Sequence, residues 1–190
     1  MVLLIGAKGR TGRQILAQES SLTFREYDGD MRDEGALTRA LKGVDAVLSV
    51  VGHVKGSDPD VQTVGTRALI RAMKTSRVKR VVMLTGTGVR MPGDRITIID
   101  RVLNLGVGMV DPARVKDGID ATKELASSDL DYTVLRVLKL TNGDAKAGWQ
   151  LTASGPTLPF VARADVALAL ITLLEQNLFV RALPMISRSR

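Results

Sequence analysis

The sequence predicts an α/β fold in which a parallel, doubly wound sheet is covered by helices on both faces. Two observations predict this. Short apolar runs alternate with segments of helical spacing along most of the 190 residues, as in parallel sheets buried on both faces. The runs end in glycine or small polar residues, which is typical of strands whose carboxyl ends line a crevice. The length, without linker or repeat, predicts a single domain over residues 1–190.

The first strand leads into the most informative motif. The apolar run Val2–Ile5 is followed by Gly6, Gly9 and Gly12, and a helix-like segment covers Gln14–Gln18. Glycines spaced GxxGxxG let the backbone turn tightly and approach a pyrophosphate, whose charge is met by amides at the helix N-terminus. The sequence therefore predicts a dinucleotide site here, in preference to a purely structural turn.

Basic residues lie inside or beside this turn, at Lys8, Arg10 and Arg13. The whole chain has 27 Lys and Arg against 20 Asp and Glu, a net charge of +7. Most of these charges are spread along the chain, and we interpret them as an ordinary basic surface. Aromatic residues make up only 3% of the chain, so we do not expect a nucleic-acid binder, which would stack bases on aromatic rings. The basic side chains near the glycines are instead placed to bind a phosphate.

The next elements follow from alternation, amphipathic spacing and apolar runs. They are, in order, a strand over Thr23–Asp28, a helix over Asp33–Lys42 closed by Gly43, a strand over Ala46–Val51, a helix over Asp60–Ser76 and a strand over Val81–Leu84. Each strand is followed by glycine or a polar residue, so these ends converge on one edge of the sheet.

The second half continues the pattern. It contains a hydrophobic helix over Ile96–Leu105, a loop marked by Gly106, Gly108 and Pro112, a helix over Asp117–Ser127, a strand over Tyr132–Leu138 and a helix over Arg163–Asn177. The apolar side chains of the first of these helices could line a substrate pocket, dock on a second subunit or pack on the core. We expect core packing.

Composition excludes several classes of site. The chain has no cysteine, so disulfides, thiolate metal sites and thiol catalysis are excluded, and the single histidine, His53, argues against a histidine-built metal site. No apolar stretch is long enough for a membrane span or a signal peptide. We therefore expect no metal, no membrane association and a cytoplasmic location. Other carboxylates, Asp94 and Asp117 among them, read as solvated groups or helix caps.

Several motifs together resemble a known group of proteins. They are Ile5–Arg13, Asp28–Asp30 with Ala40–Val47, Ser128–Arg136 and Ala164–Ala167. In these the chain resembles the atypical short-chain dehydrogenases/reductases, and more narrowly the NmrA-like and biliverdin-reductase-B/flavin-reductase-like NAD(P)-binding proteins. The resemblance covers nearly the whole chain. It implies a Rossmann-like fold and a bound nicotinamide dinucleotide.

The resemblance also implies which residues bind the dinucleotide. Gly6, Gly9 and Gly12 match the phosphate-binding glycines, with Arg10, Thr11 and Arg13 in the turn and the first helical turn. Asp30 matches the acid that meets the adenine, and the segment along the adenosine ribose is matched by Val50, Val51 and Gly52. The strand end near the nicotinamide ribose is matched by Thr85, Gly86 and Thr87, and the segment beside the nicotinamide by Arg136, Val137 and Leu138. Val137 stands where the group usually has a proline.

The chain departs from ordinary short-chain dehydrogenases in lacking a Tyr-x-x-x-Lys pair, in which the lysine lowers the tyrosine's pKa for proton exchange. Its two tyrosines are Tyr27 and Tyr132, and the fourth residue after Tyr132 is Arg136, within a strand. Burial in the strand favours a structural role for this pair. Chemistry must therefore come mostly from the cofactor.

The second departure is a shortage of chain after the first helix. Relatives usually place a further strand and its connection there, whereas only Glu19–Leu22 precedes the strand over Thr23–Asp28. The usual strand order would leave a gap beside the first strand. We expect Thr23–Asp28 to fill it.

This arrangement affects the choice of cofactor. An acid about 20 residues beyond the glycines normally binds the ribose 2′-hydroxyl and favours NAD, and Asp28 stands near that distance. Lys8, Arg10 and Arg13 could instead hold a 2′-phosphate through charge-assisted hydrogen bonds. With the resemblance added, we expect NADP, with NAD as the alternative.

Two functions stay open. One is an NAD(P)H-dependent reductase of a small acceptor such as a flavin or quinone, which could take its proton from water. Weak candidates for a proton donor are Thr85, Thr87, His53 and Lys123. The other is a non-catalytic NAD(P) redox sensor of NmrA type that acts on a protein partner. We expect a monomer or homodimer.

Overall fold

The computed structural model describes residues 1–54, 56–86 and 88–188. Helices and strands alternate through most of that range. In chain order they are β1 (Val2–Ile5), α1 (Arg10–Leu16), β2 (Phe24–Tyr27), α2 (Glu34–Ala40), β3 (Ala46–Ser49), α3 (Val61–Ser76), β4 (Arg80–Gly86), α4 (Ile98–Val110), α5 (Pro112–Ala126), β5 (Asp131–Val137), β6 (Lys139–Thr141), β7 (Trp149–Thr152), β8 (Phe160–Ala162), α6 (Arg163–Glu175) and β9 (Met185–Arg188).

The described strands form one large sheet and one small one. The large sheet has the order β2-β1-β3-β4-β5-β9-β7, and β6 pairs with β8 beside it. Neighbouring strands from β2 to β9 are parallel, while β7 is antiparallel to β9 at the edge. The predicted fold class, a doubly wound and mostly parallel sheet, is confirmed.

The gap beside the first strand is filled as expected. β2 pairs in parallel with β1, in a register that places Phe24 beside Val2 and Tyr27 beside Ile5. β1 is thereby flanked on both sides, because β3 pairs with its other edge. The end of β2 consequently lies next to the glycine turn that follows β1.

Helices cover both faces of the sheet. α1 packs against α6 on one face, and α3 packs against α2 and α5 on the other. Successive strand residues point to opposite faces. Leu3 accordingly belongs to the core cluster that includes Leu69 of α3, whereas Leu4 belongs to the cluster that includes Leu170 of α6.

The boundary between α4 and α5 differs from the prediction. The loop predicted at Gly106–Gly108 is wrong, since α4 continues through both glycines to Val110. α5 begins five residues before the predicted start at Asp117, because Pro112 fits the first helical turn and the Asp111 carboxylate accepts a hydrogen bond from the Arg114 amide at 3.0 Å. Glycine weakens a helix without forcing it to end.

The expected core packing of α4 is also wrong. Ile98, Val102 and Leu105 are each more than half exposed. The reason is that α4 turns a polar side inward: Asp100 is 2% exposed and accepts a hydrogen bond from Arg90 at 2.7 Å. An internal ion pair has taken the place that the apolar residues were expected to occupy.

A second ion pair, buried on both sides, fixes the segment between β4 and α4. Arg136 of β5 is fully buried, and its guanidinium donates to both carboxylate oxygens of Asp94, at 2.6 and 2.9 Å. It also donates to the backbone oxygens of Val89 and Leu183, at 3.0 and 2.8 Å. Burial alone would raise the pKa of Asp94, but the hydrogen bond from Arg136 outweighs it, and the pKa is lowered. The pair thus ties the irregular segment to the sheet.

Replacing Asp94 by Ala should destabilise the protein strongly, because it leaves the buried Arg136 charge uncompensated. Breaking a buried pair in this way costs about 3–5 kcal/mol. Urea unfolding measures the loss. The matched control is Asp129→Ala, which removes an exposed ion pair with Lys79 of 2.8 Å and should have little effect. Equal stability of the two variants would contradict the structural role given to Asp94.

Candidate functional site

The glycine turn lies at the carboxyl edge of the sheet, directly after β1. Gly6 has a φ of +89°, and a Cβ there would lie 3.2 Å from the backbone of Val50 and Val51. A Cβ on Gly12 would overlap the carbonyl oxygens of Gly6 and Ala7. The first and third glycines of the motif are therefore required by close backbone contacts. They bring α1 directly against the end of β1.

The N-terminus of α1 is open to an anion. Gly9 is its N-cap residue and offers no side-chain cap, and the Gly9 amide closes the turn by donating to the Gly6 oxygen at 3.0 Å. Amides at such a helix start carry partial positive charge. Lys8, Arg10 and Arg13 are exposed around it, while Thr11 is buried. The turn combines backbone donors with three exposed cationic side chains.

A charged pair spans the ends of β1 and β2. The ammonium of Lys8 donates to the Asp28 carboxylate at 2.5 Å, and the two side chains are 72% and 69% exposed. Because both are exposed, this pair is weak and screened by salt. A phosphate can therefore compete with Asp28 for Lys8.

Asp30 belongs to a second charged group farther along the same edge. Arg32 donates to both carboxylate oxygens of Asp30, at 3.0 and 2.8 Å, and also to Asp58 at 2.5 Å. Hydrogen bonding from Arg32 lowers the pKa of Asp30. Arg32 thus links the segment after β2 to the segment after β3, on the side where the adenine contact was predicted.

The segment after β3 contains Val51, Gly52 and His53. Val51 is half-buried, and Gly52 is exposed with open space around its α-carbon. The His53 side chain is 10% exposed, and its Nε2 lies 2.8 Å from a carboxylate oxygen of Asp117. The one histidine of the chain is held at the crevice by a carboxylate from α5.

Asp117 connects three elements at this edge. Its side chain is 1% exposed and accepts hydrogen bonds from the amides of Gln62 and Thr63, at 2.9 and 2.8 Å, and from the Thr63 hydroxyl at 2.5 Å. It thereby caps α3, whose own N-cap residue, Asp60, makes no side-chain cap. Asp94 and Asp117 were expected to be solvated carboxylates or helix caps. The solvated state is wrong, because both side chains are buried; Asp117 is a cap, but of α3 and not of the helix that contains it.

These contacts determine the ionisation of Asp117. Burial alone would raise its pKa, but the hydrogen bonds from Thr63, Gln62 and His53 outweigh burial and lower the pKa. An ionised carboxylate only accepts hydrogen bonds, so the His53 ring donates to it from Nε2. Asp117 thus fixes the orientation of the His53 ring.

The end of β4 lies against the same helix. Thr85 is buried, and its hydroxyl oxygen is 3.0 Å from where a Cβ on Gly118 would lie, so the glycine makes room for it. Gly86 is exposed at the crevice. Thr87 lies outside the described residues. Asp117 and Gly118 of α5 therefore contact the segment that follows β3 and the last residues of β4.

The other predicted residues fall into two groups. The Arg136 guanidinium is occupied by hydrogen bonds to Asp94 and to backbone oxygens, as described above, and Val137 is buried. Only the backbone and half-buried Leu138 are therefore available to contact a ligand in this segment. The dinucleotide contact predicted for this segment stays a prediction. Lys123 lies in the last turn of α5, 3.4 Å from Asp120, and is exposed away from the crevice.

Arg163 is a crevice residue that the sequence did not indicate. At the start of α6, it donates to the Asn142 side-chain oxygen at 2.7 Å. Burial is the main cause that lowers the pKa of Arg163, and the positive charge of Arg10 lowers this pKa further. Two guanidinium groups that repel each other beside the glycine turn would both be stabilised by an anion between them. The only sequence signal was a basic residue opening a helix.

A cavity adjoins Arg163 on the side of the small sheet. Its volume is about 390 Å³, and its lining includes Asn142, Trp149, Phe160 and the buried carboxylate of Asp165. Trp149 donates its indole N–H to Asp165 at 3.2 Å. The cavity combines two aromatic side chains with polar groups, and it lies beyond the end of β5.

The described residues contain no group of three or more His, Cys, Asp or Glu side chains placed to hold a metal ion. In the same part of the chain, no helix has the length and apolarity needed to cross a membrane.

Comparisons with known proteins place this geometry in context. A family model described as NAD(P)H-binding matches residues 17–177. An NAD(P)H azoreductase from Xenophilus azovorans is 37% identical over 108 residues, which are 46% of this chain and 36% of that protein. The chain thus spans about a third of the length of this curated relative.

Solved structures show the same fold. A short-chain dehydrogenase/reductase from Veillonella parvula, in complex with NADP, has a TM-score of 0.78 and 16% identity, covering 98% of this chain and 94% of that one. An anaerobillin reductase from Escherichia coli O157:H7 has a TM-score of 0.77 and 19% identity, covering 98% and 96%. At these identities the likeness concerns the fold.

Asp117→Asn should destabilise the fold by about 1–3 kcal/mol, since an amide cannot accept from all the donors that face this carboxylate. The lowered pKa also makes this stabilisation depend on pH. The ionised carboxylate contributes its full stabilisation at pH values above 3.8, the ordinary pKa of an aspartate, and loses it as the pH falls through the lower pKa of the folded protein. Urea unfolding at several pH values measures both effects.

In that experiment, the difference between wild type and variant should shrink in acid. Asp120→Asn, on the same helix but paired with exposed Lys116, is the matched control and should change stability little. A difference that stays constant down to the most acidic pH would contradict the ionised state of Asp117.

Proposed function

Because the chain belongs to the NAD(P)H-binding family, we propose that it is an NAD(P)H-dependent reductase that transfers hydride to a small acceptor such as a flavin or a quinone. The observation that carries the proposal is the glycine turn, where Gly12 leaves no room for a Cβ against Gly6 and Ala7. Such contact brings an open helix N-terminus to a strand end, as pyrophosphate binding requires.

Different residues at the carboxyl edge of the sheet would bind different parts of the dinucleotide. The amides at the start of α1 would hold the pyrophosphate, with Arg10 and Arg163 on either side of it. Gly52 and Val51 would lie along the adenosine ribose, with Asp30 near the adenine. Gly86 and the backbone after β5 would lie beside the nicotinamide. When bound, the nicotinamide supplies the hydride, and the protein supplies orientation and electrostatics.

Proton supply is consistent with an acceptor of this class. The sequence has no Tyr-x-x-x-Lys pair, and the Thr85 hydroxyl is buried against α5. A reduced flavin or quinone can take its proton from water, so no dedicated acid is required. His53 stays the best-placed candidate among the side chains, because the contact with Asp117 orients its ring at the crevice.

The relative from Xenophilus azovorans supports a reductase. It is an NAD(P)H azoreductase by name, and the 37% identity is well above that of the solved structures. An azo compound, like a flavin or quinone, is a conjugated acceptor of hydride. The cavity beside Arg163, with Trp149 and Phe160 in its lining, has the aromatic character that a planar acceptor would contact.

The test is a reductase assay on the purified chain. With NADPH and a panel of flavins, quinones and an azo dye, we expect loss of the reduced nicotinamide absorbance with at least one acceptor. Gly12→Val should lower kcat/KM at least tenfold, because its side chain would displace the backbone that faces the pyrophosphate. Thermal unfolding of both proteins, with and without NADPH, separates lost binding from lost folding.

The alternative is a non-catalytic NAD(P) sensor of NmrA type. It predicts stabilisation by NADPH without oxidation by any acceptor, and that result would overturn the reductase. A ligand at 100 times its Kd stabilises by about 2.7 kcal/mol, so binding is readily detected as a shift in Tm. No shift with either reduced or oxidised dinucleotide would overturn dinucleotide binding itself.

We further propose NADP as the preferred cofactor. Asp28 stands at the position that normally repels a 2′-phosphate, but Lys8 neutralises it at 2.5 Å. The same lysine, with Arg13 exposed on the next turn, is available to a phosphate at this corner of the crevice. A charge-assisted hydrogen bond to phosphate is stronger than one between neutral groups.

Lys8→Ala should therefore raise the Kd for NADPH about tenfold, equivalent to about 1.4 kcal/mol, and change the Kd for NADH much less. Fluorescence titration of both cofactors measures this. Lys79→Ala, which removes a comparable exposed pair with Asp129 at the opposite edge, should change neither Kd. Wild-type protein that binds NAD(H) tenfold more tightly than NADP(H) would overturn the choice.

A further inference from the structure

The outer side of α4 is uncovered and apolar. Ile98, Val102, Leu105 and Met109, which we call the α4 seam, are 79%, 61%, 66% and 76% exposed. Ile99 beside them is 53% exposed. A surface helix normally turns such a stripe toward the core. Large contiguous apolar patches on a protein surface mark interaction sites.

The orientation of α4 is fixed by its polar side. Asp100 is 2% exposed and pairs with Arg90, and the Asn104 side chain donates to the Asp100 backbone oxygen at 2.9 Å. These groups face the body of the protein, so the seam on the opposite side faces outward. Turning the helix over would bury the seam only by breaking the ion pair. The seam therefore needs a partner outside the chain.

The spacing of the seam is that of a helix pair. Its residues are separated by four, three and four positions, the spacing of knobs-into-holes packing. The pattern is also symmetric. If a second α4 lies antiparallel with its centre between residues 103 and 104, Ile98 meets the partner's Met109 and Val102 meets the partner's Leu105. The same patch is thus complementary to itself, as a twofold interface requires.

The flanks of the seam fit the same arrangement. The large flanking residues are Ile99 and Arg101, and the flanking positions of the second half are Gly106 and Gly108. In the antiparallel pair, Ile99 lies beside the partner's Gly106 and Arg101 beside the partner's Gly108. Each bulky residue therefore faces a glycine, and a Cβ on either glycine would meet nothing within 4 Å in the single chain.

We propose that the α4 seam binds the α4 seam of a second copy of this chain, antiparallel, to form a twofold dimer. The exposed side chains offer on the order of 600 Å² per protomer, the upper end of what a monomer leaves uncovered. Complete burial of these side chains in both copies would cover at most about 1,200 Å², where stable interfaces begin. A membrane surface fits less well, since such helices carry several basic residues and α4 carries only Arg101. The dimer is independent of the proposed reductase activity.

The first test is the oligomeric state of the full chain by sedimentation over a dilution series. Wild type should form dimers that dissociate on dilution, and Leu105→Glu should sediment as a monomer at every concentration. Val180→Glu, at a 37% exposed apolar position outside α4, should dimerise like wild type. Circular dichroism and thermal unfolding check that each variant folds. A monomeric wild type, or a dimer that Leu105→Glu leaves intact, would overturn the proposal.

The second test uses the absence of cysteine from the natural sequence. In the antiparallel pair, residue 98 of one copy lies beside residue 109 of the other and about 16 Å along the axis from its own counterpart. A disulfide needs Cα atoms within about 7 Å. Under mild oxidation, Ile98→Cys mixed with Met109→Cys should cross-link, and Ile98→Cys alone should not. Efficient cross-linking of Ile98→Cys alone would indicate a parallel pair and overturn the arrangement.

Discussion

Backbone contact at the carboxyl edge of the sheet is the constraint on which this structure depends. Gly6 touches the backbone that follows β3, and Gly12 brings α1 onto the Gly6 turn. These contacts tolerate no side chain, so the relative positions of β1, β3 and α1 are fixed by main-chain shape alone. Because backbone geometry leaves little freedom, a ligand meets amides that are already in place, and less ordering is needed on binding.

Around this rigid centre, two buried carboxylates hold the irregular segments. Asp117 joins α5 to the start of α3 and to His53, while Asp94 fastens the segment after β4 to Arg136. Both segments follow strands at the crevice, and neither has a sheet ladder to satisfy its polar groups. A carboxylate from another part of the chain does so instead. The two pairs thus define the crevice walls in places where secondary structure does not.

The sequence predicted the parts of the fold that rest on local pattern. Apolar runs identified β1, β3 and β4, and the glycine spacing identified the turn. The unusually short segment between α1 and β2 indicated that β2 lies beside β1. The short strands β6, β7, β8 and β9 were missed, because segments of three or four residues show too little periodicity to be recognised. Asp117 and Arg163 were missed for another reason: their roles come from partners distant in the chain, and nothing local distinguishes them from solvated residues.

The two glycines inside α4 have a consequence for how that helix behaves over time. Each lowers intrinsic helix stability by about 1 kcal/mol relative to alanine. On its inner side the helix is held to the body of the protein by the ion pair between Asp100 and Arg90, and its outer side contributes little burial in a single chain. Its hydrogen bonds are therefore among the easiest to open by local fluctuation. In a single chain, its amides should exchange with solvent well before those of the buried strands, and a protease would find its first cleavage sites there.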